Sequence, residues 1–359
     1  MKRWQFWLGL LISLIFLAWA MSGLNLPEVL RQMQGANLWW LIPGVGVYMV
    51  GLLIRAWRWH YLLRPIQAVP TKVVFPITAI GYMGNNIYPA RIGELLRAFI
   101  LKRNTGIAVS SSLATIIVER IFDGVVMLAF VIFNLPALAA VAGVESGFLG
   151  NIEQVALIGT GIFSLALVAF LVAALFPNLT RRSYAFFVDR FLPAALAERI
   201  HSIADKFLDG LASLRSPFNI SMVFGTSVVI WLLETLKYWF VMHAFNFEVT
   251  FFALMLMNGI VNLATTIPSA PGYVGTFHAP GIAVLVAFGV DPNIAGAYTF
   301  VLHAALWLPV TLLGLYYFGR ESLTWDQVRE WQQQGVAAAA GAETTIPDPT
   351  PDAETAPTP

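Results

Sequence analysis

Three stretches of this chain, Phe6 to Met21, Ile152 to Phe176 and Ile294 to Phe318, are apolar almost without interruption and carry almost no formal charge. At about 1.5 Å of rise per residue, helices of that length reach across a hydrocarbon layer of roughly 30 Å. No water-facing surface could be built from such runs. The composition agrees: 58% of the 359 residues are hydrophobic and 11% are charged, against roughly 25% charged in ordinary soluble domains. Transmembrane barrels alternate polar and apolar residues over segments of about ten, whereas these runs are continuously apolar, so helices are predicted. The expected fold class is all-α, a polytopic transmembrane helical bundle.

Spans are predicted near residues 4–22, 38–56, 113–140, 152–176, 219–245 and 294–319, with two less regular apolar stretches near 73–101 and 250–290. The first span follows Lys2 and Arg3 and lacks a small-residue cleavage site before Asn25, so it is expected to be a retained anchor rather than a signal peptide. Basic residues set the orientation. The loop 55–72 carries Arg55, Arg58, Arg64 and Lys72, and the loop 178–217 carries Arg181, Arg182, Arg190, Arg199, Lys206 and Arg215, which places both loops in the cytoplasm. The loops near Glu145 and Glu248 hold no Lys or Arg and fall outside. Both termini are then cytoplasmic and the expected location is the inner membrane.

This topology constrains the two irregular stretches. The first begins after Lys72 and ends at Lys102 and Arg103, so both its ends face the cytoplasm, and it is too short for two crossings. It contains Gly81, Gly84, Asn85, Asn86, Pro89 and Gly93, a composition that suits a re-entrant hairpin buried in protein or lining a wet cavity. The second stretch leaves and regains the outer side and is broken at Pro268, Pro271, Gly272 and Gly275; it is long enough for two crossings, so a broken helical pair is as acceptable there as a hairpin. Around the breaks, Pro89-Ala-Arg-Ile-Gly-Glu-Leu95 and Pro271-Gly-Tyr-Val-Gly-Thr-Phe277 share a Pro-x-x-apolar-Gly-x-apolar pattern. Two such segments entering from opposite sides predict an inverted-topology repeat. Residues 1–320 form the expected membrane domain. Within it, 179–214 interleaves Arg and Lys with Phe, Leu and Ile as amphipathic helices on the cytoplasmic leaflet would, and 321–359 is a polar tail expected to be disordered.

Ionisable groups at membrane depth are costly and therefore candidates for function. Asn85, Asn86, Arg91, Glu94 and Arg97 form the first cluster; the three charged residues recur every third position, so on a helix they share a face, and Glu94 can neutralise only one arginine. The other is free to hold a phosphate, or the set is a structural ion-pair network. Glu119, Arg120 and Asp123 form a second cluster, read as partners of the first or as a proton site. Glu234 and Lys237 are spaced for an internal salt bridge, with charge coupling as the alternative. His278 and His303 are further titratable candidates. There is no cysteine, no His-Glu-x-x-His, no Gly-x-Ser-x-Gly and no Walker loop, so no catalytic residue, metal site or cofactor is expected. A formal net charge of +1 without a basic domain argues against nucleic acid.

The segment Asn85 to Arg97, followed by Glu119-Arg120-x-x-Asp123 and by Ile267-Pro-Ser-Ala-Pro-Gly-Tyr-Val-Gly275, resembles the lysylphosphatidylglycerol synthase transmembrane region, the flippase-like family, over most of residues 5–320. The resemblance implies a membrane unit that binds and translocates a polar lipid. It does not imply the synthase activity, which larger members carry in a further domain. Two departures are visible: Thr276, Phe277 and His278 stand where the family has an acidic residue after the glycine pair, and Tyr273 stands where it often has glycine. The substrate-binding residues expected are Asn85, Asn86, Arg91, Glu94, Arg97, Glu119, Arg120, Asp123, Pro271, Gly272, Tyr273, Gly275 and His278. Membrane lipids with a phosphate-bearing head group are the expected partners. A cell-envelope enzyme such as a lipid-linked glycosyltransferase, and a second copy of the chain, are the protein partners to test.

Overall fold

A computed structural model of the chain describes residues 3–88, 91–142, 147–267 and 269–331. These residues fold as α-helices joined by short turns, with no strand among them. In order they are α1 (Arg3–Met21), α2 (Leu26–Gly35), α3 (Leu41–Leu63), α4 (Thr71–Ile87), α5 (Ile92–Thr105), α6 (Val109–Ala142), α7 (Gly147–Leu175), α8 (Pro177–Phe191), α9 (Ala194–Gly210), α10 (Pro217–Met242), α11 (Phe251–Ala264), α12 (His278–Ala287) and α13 (Pro292–Arg320). By length and composition, three described segments, Leu38–Leu63, Pro217–Met242 and Pro292–Arg320, suffice to cross a membrane. Two more qualify as bent pairs: α1 turns by 82° into α2, and α7 turns by 104° into α8.

The turns are written in the sequence. Asn25 caps α2 by accepting from Glu28 N at 3.3 Å, Thr250 caps α11 through Ala253 N, and Asp291 accepts from both Asn293 N and Ile294 N ahead of Pro292. Gly106 closes α5 with a left-handed φ of 79°.

Hydrogen bonds between helix ends sort the bundle into two faces. On one, Asn25 N donates to Asn293 Oδ1 and Asn37 N to Ala244 O, gathering the end of α1, α2, the start of α3, the end of α10 and the start of α13. On the other, Arg103 Nη2 donates to Glu321 O, Ser111 Oγ to Lys206 O, and Arg215 Nε to Ala174 O, gathering the ends of α5, α7 and α13 with α9. The pair α4–α5 therefore enters from and returns to the α9 face, and α11–α12 does the same from the α2 face.

Close packing shapes the first hairpin. A Cβ on Gly84 would stand 2.9 Å from Gly93 Cα, and one on Gly93 would overlap Gly81 O and the Asn85 backbone. Glycine lets the antiparallel helices touch backbone to backbone.

The structure corrects one boundary with consequences. Arg55 and Arg58, read from sequence as loop charges, lie in the last three turns of α3, 5% and 2% exposed. The charge that marks this connection is thereby reduced to Arg64 and Lys72. Of the amphipathic stretch, α8 leaves Phe186, Phe187 and Phe191 exposed and buries no residue. The Pro89 end of the first break, Pro268, Glu145 and 332–359 lie outside the described residues.

Candidate functional site

The two hairpins meet in the middle of the bundle around a cavity of about 130 Å³. Asn85, Asn86 and Arg91 line it from the first break, Tyr273 and Phe277 from the second, and Arg55, Arg120, Glu234 and His303 from the surrounding helices. The first break is tied to α13: Asn86 Nδ2 donates to Thr311 Oγ1 at 2.8 Å and Trp307 O at 3.3 Å, while Trp307 Nε1 donates to Asn86 O. A Cβ on Gly272 would lie 2.9 Å from Trp307 Nε1, so the second break needs glycine there.

Arg91 and Tyr273 occupy the same place in the shared Pro-x-x-apolar-Gly pattern. Both have a left-handed backbone, with φ of 54° and 58°, and both line the cavity. For side chains other than glycine this conformation costs about 1–2 kcal/mol, and such strain clusters at functional sites.

The charges beside the cavity form a connected network. Arg58 grips Asp123 with both guanidinium nitrogens, at 2.6 and 3.1 Å, and approaches Glu119 at 3.7 Å. Arg97 Nη1 donates to Glu119 at 3.0 Å and stacks over Trp59. Arg120 Nε donates to Glu94 at 2.7 Å. Arg55 Nη2 reaches Glu234 Oε1 at 2.8 Å, and Lys237 holds Glu234 Oε2. Among these described groups, six cations (Arg55, Arg58, Arg91, Arg97, Arg120, Lys237) face four carboxylates. Arg91 is the cation left without a carboxylate: its Nη2 donates to Thr265 O at 3.4 Å.

Several expected arrangements change. Arg91, Glu94 and Arg97 do not share a helical face, because Arg91 is the left-handed residue preceding α5 and is turned into the cavity. Glu94 neutralises neither neighbour but pairs with Arg120 across to α6. Glu119 and Asp123 do lie on one face, but Arg58 of α3 bridges them, so they are an ion-paired set and not two carboxylates facing each other. Asp123 pairs with α3, not with the hairpin. Glu234 and Lys237 do form the internal salt bridge, joined by Arg55. Glu94, Arg97, Glu119, Asp123 and Lys237 stand behind the cavity wall.

The second break departs further from expectation. Gly275 N donates to His278 Nδ1 at 3.2 Å, so that amide is not free to cradle a ligand, and Gly275 packs against Leu17 N of α1. His278 Nε2 meets His303 Nδ1 at 3.2 Å, and it is His303 that lines the cavity. Pro271, Gly272, Gly275 and His278 thus shape the break without lining it. Thr276, the first residue after Gly275, is fully buried and bonds Ser269 Oγ and Tyr273 O.

Sequence reasoning missed Arg55 and Arg58 as site residues, and with them Tyr48, Tyr82 and Asn262. The signal available was the i, i+3 spacing of the two arginines directly after an apolar helix, which fits two more turns of α3 as well as a loop.

A model of the family described as Lysylphosphatidylglycerol synthase TM region matches residues 6–314. The chain belongs to this family. Among curated relatives of the lysylphosphatidylglycerol synthase TM region member described here, Glycosyltransferase AglD of Haloferax volcanii is 26% identical over 334 residues. That match covers 85% of this chain and 52% of the relative, so the chain spans about half of that protein. A UPF0104 membrane protein of Methanothermobacter thermautotrophicus is 25% identical, covering 88% of this chain and 92% of the relative. Another, of Pyrococcus horikoshii, is 28% identical with 86% and 93% covered. No solved structure matches.

Proposed function

We propose that this protein binds a phosphate-bearing membrane lipid and moves its head group between the leaflets. The observation that carries the reading is Arg91: a guanidinium without a carboxylate, held in a strained backbone, at the cavity where two half-spans from opposite faces meet. A planar guanidinium is suited to bidentate phosphate contact. With six cations against four carboxylates, an anion relieves the local excess charge.

The size fits a head group and not a whole lipid, since pockets for drug-sized ligands run to roughly 300–1,000 Å³. Acyl chains have a place outside it. An apolar groove of about 820 Å³, lined by Phe130, Phe133, Phe224, Val228 and Met255, runs between α6, α10 and α11. Val228 lies one turn from Trp231, which lines the cavity. In this reading the α9 face, with α8 along its surface, is cytoplasmic, the membrane is the inner membrane, and the two hairpins are halves of an inverted repeat that rock about the shared site.

The test is exchange of labelled lipids across liposomes containing the purified protein. Acceleration for at least one phosphate lipid, lost with Arg91→Gln, is expected. No acceleration across phospholipids and polyprenyl phosphates would overturn the proposal. One observation favours a second reading: the matched part of the Haloferax relative is about half of a protein named a glycosyltransferase. The chain would then present a lipid-linked substrate to a separate enzyme, and stable co-purification without exchange activity would support that reading instead.

A further inference from the structure

We infer that the cavity takes a phosphate bearing a neutral, hydroxyl-rich group, a sugar or a polyol, and refuses head groups that carry an amine. The inference rests on the lipid-binding reading above and adds the head-group chemistry.

The amine is excluded by what the cavity has already spent. The carboxylate on its wall is Glu234, and both its oxygens are occupied, one by Arg55 at 2.8 Å and the other by Lys237. Aromatic faces could bind an ammonium instead, but protein cations sit over them: Arg55 lies 5.5 Å from the Tyr82 ring centre and 5.4 Å from that of Trp231, and Lys237 4.2 Å from that of Tyr48. A further cation would enter beside Arg91 and Arg120 with no counter-charge to meet it.

The hydroxyls are demanded by the amide side chains. Asn86 Nδ2 points at the Trp307 carbonyl, which can only accept, so the amide orientation is fixed and Oδ1 is its uncommitted end. Asn262 is fixed the same way, with Nδ2 on the Asn258 carbonyl at 2.9 Å and on Asn258 Oδ1 at 2.7 Å. Asn85 does not add to this set, since its Oδ1 is buried against Gly93. Acceptors of this kind repel phosphate oxygens. They are satisfied by a ligand that brings O–H donors together with the anionic oxygens that Arg91 needs. Phosphate and hydroxyl on one small head group meet both demands, and a sugar phosphate or a glycerol phosphate supplies them.

The test uses the full chain in lipid nanodiscs and reads binding by ligand-dependent thermal stabilisation. Five short-chain probes are compared: a prenyl-phosphate-linked hexose, phosphatidylglycerol, a prenyl phosphate, phosphatidylethanolamine and lysyl-phosphatidylglycerol. One or both hydroxyl-bearing neutral head groups should bind about tenfold or more tightly than the other three, a difference of about 1.4 kcal/mol, and the hexose and glycerol arms decide between the two sources. Asn262→Leu should abolish this preference while retaining phosphate binding; Asn86→Asp, which keeps the size of the side chain, is the second variant. Equal or tighter binding of the amine-bearing lipids, or of the bare prenyl phosphate, overturns the inference and leaves lipid binding intact. Absence of binding by all five overturns both.

Discussion

The two breaks in this bundle share a backbone and divide the chemistry. Each joins two short helices, each places a non-glycine residue at a φ near 55°, and each turns that residue to the same cavity. The first break is surrounded by ions: Arg91, Glu94 and Arg97 with Glu119 and Arg120 of α6. The second is built from neutral groups, with Thr276, Ser269, His278 and His303 bonded to one another or to backbone. The difference teaches that turn geometry positions a side chain and that recognition is supplied by whichever side chain stands there. It also predicts that the two breaks fail differently.

The largest expected effect is in the ion network behind the charged break. Asp123→Asn leaves Arg58 in the protein interior with Ser227 Oγ and, as its remaining carboxylate, Glu119 at 3.7 Å, which is already shared with Arg97. Removing one partner of a buried pair costs about 3–5 kcal/mol, which unfolding in detergent would register as a large drop in midpoint. Thr276→Val, the corresponding lesion in the neutral break, should cost about 1 kcal/mol. Equal losses would show that the breaks are not energetically distinct.

Packing gives the next effect. Gly93→Ala sets a methyl against Gly81 O and the Asn85 backbone and must spread α4 from α5; overpacking of this kind costs about 1–3 kcal/mol. Gly289→Ala is the control on the α12 side. It sits at a φ of 85° with nothing within 4 Å, so it carries only the backbone penalty, about 1–2 kcal/mol. A smaller midpoint shift for Gly93→Ala than for Gly289→Ala would refute the close approach.

Function should separate from stability at Arg91. Because no carboxylate depends on it, Arg91→Gln removes the positive charge at the cavity and strands no partner. Lipid exchange is expected to fall about tenfold or more with an unfolding midpoint near that of the parent. Arg91→Lys keeps the charge but not the planar fork and should lie between. A midpoint loss as large as that of Asp123→Asn would make Arg91 structural.

How much of this was legible follows from what each feature depends on. The helical membrane fold was readable because long apolar runs answer to one solvent, and the first hairpin because its stretch has basic residues at both ends and is too short to cross twice; the glycines and asparagines expected to break it, Gly81, Gly84, Asn85 and Asn86, lie within α4. Arg91 as the unpaired cation was half legible: one arginine was expected to be left over, but the reason was not that Glu94 serves Arg97. Glu94 reaches Arg120, and Asp123 reaches Arg58, through tertiary contacts that spacing along one helix does not contain. Arg55 and Arg58 were hidden for the same reason. A charge at the end of an apolar run reads as a loop until carboxylates from α6 and α10 are known to surround it.

The smallest expected effect tests the shared backbone directly. If the left-handed conformation at both breaks is strain held for the sake of the side chain, replacing that side chain with glycine should stabilise the fold while damaging the site. Tyr273→Gly removes a ring from the cavity wall and relieves a φ of 58°. The relief is about 1–2 kcal/mol at most, offset in part by the contacts the ring loses, so a rise in the midpoint of a degree or two is expected. Arg91→Gly should show the same relief with a deeper loss of exchange, since the charge goes with the strain. Tyr273→Ala separates the two contributions: it loses the ring and keeps the strain, and should fall below both the parent and Tyr273→Gly in stability. If alanine and glycine at 273 were equally stable, the backbone there would carry no strain, and the likeness between the breaks would be one of sequence pattern alone.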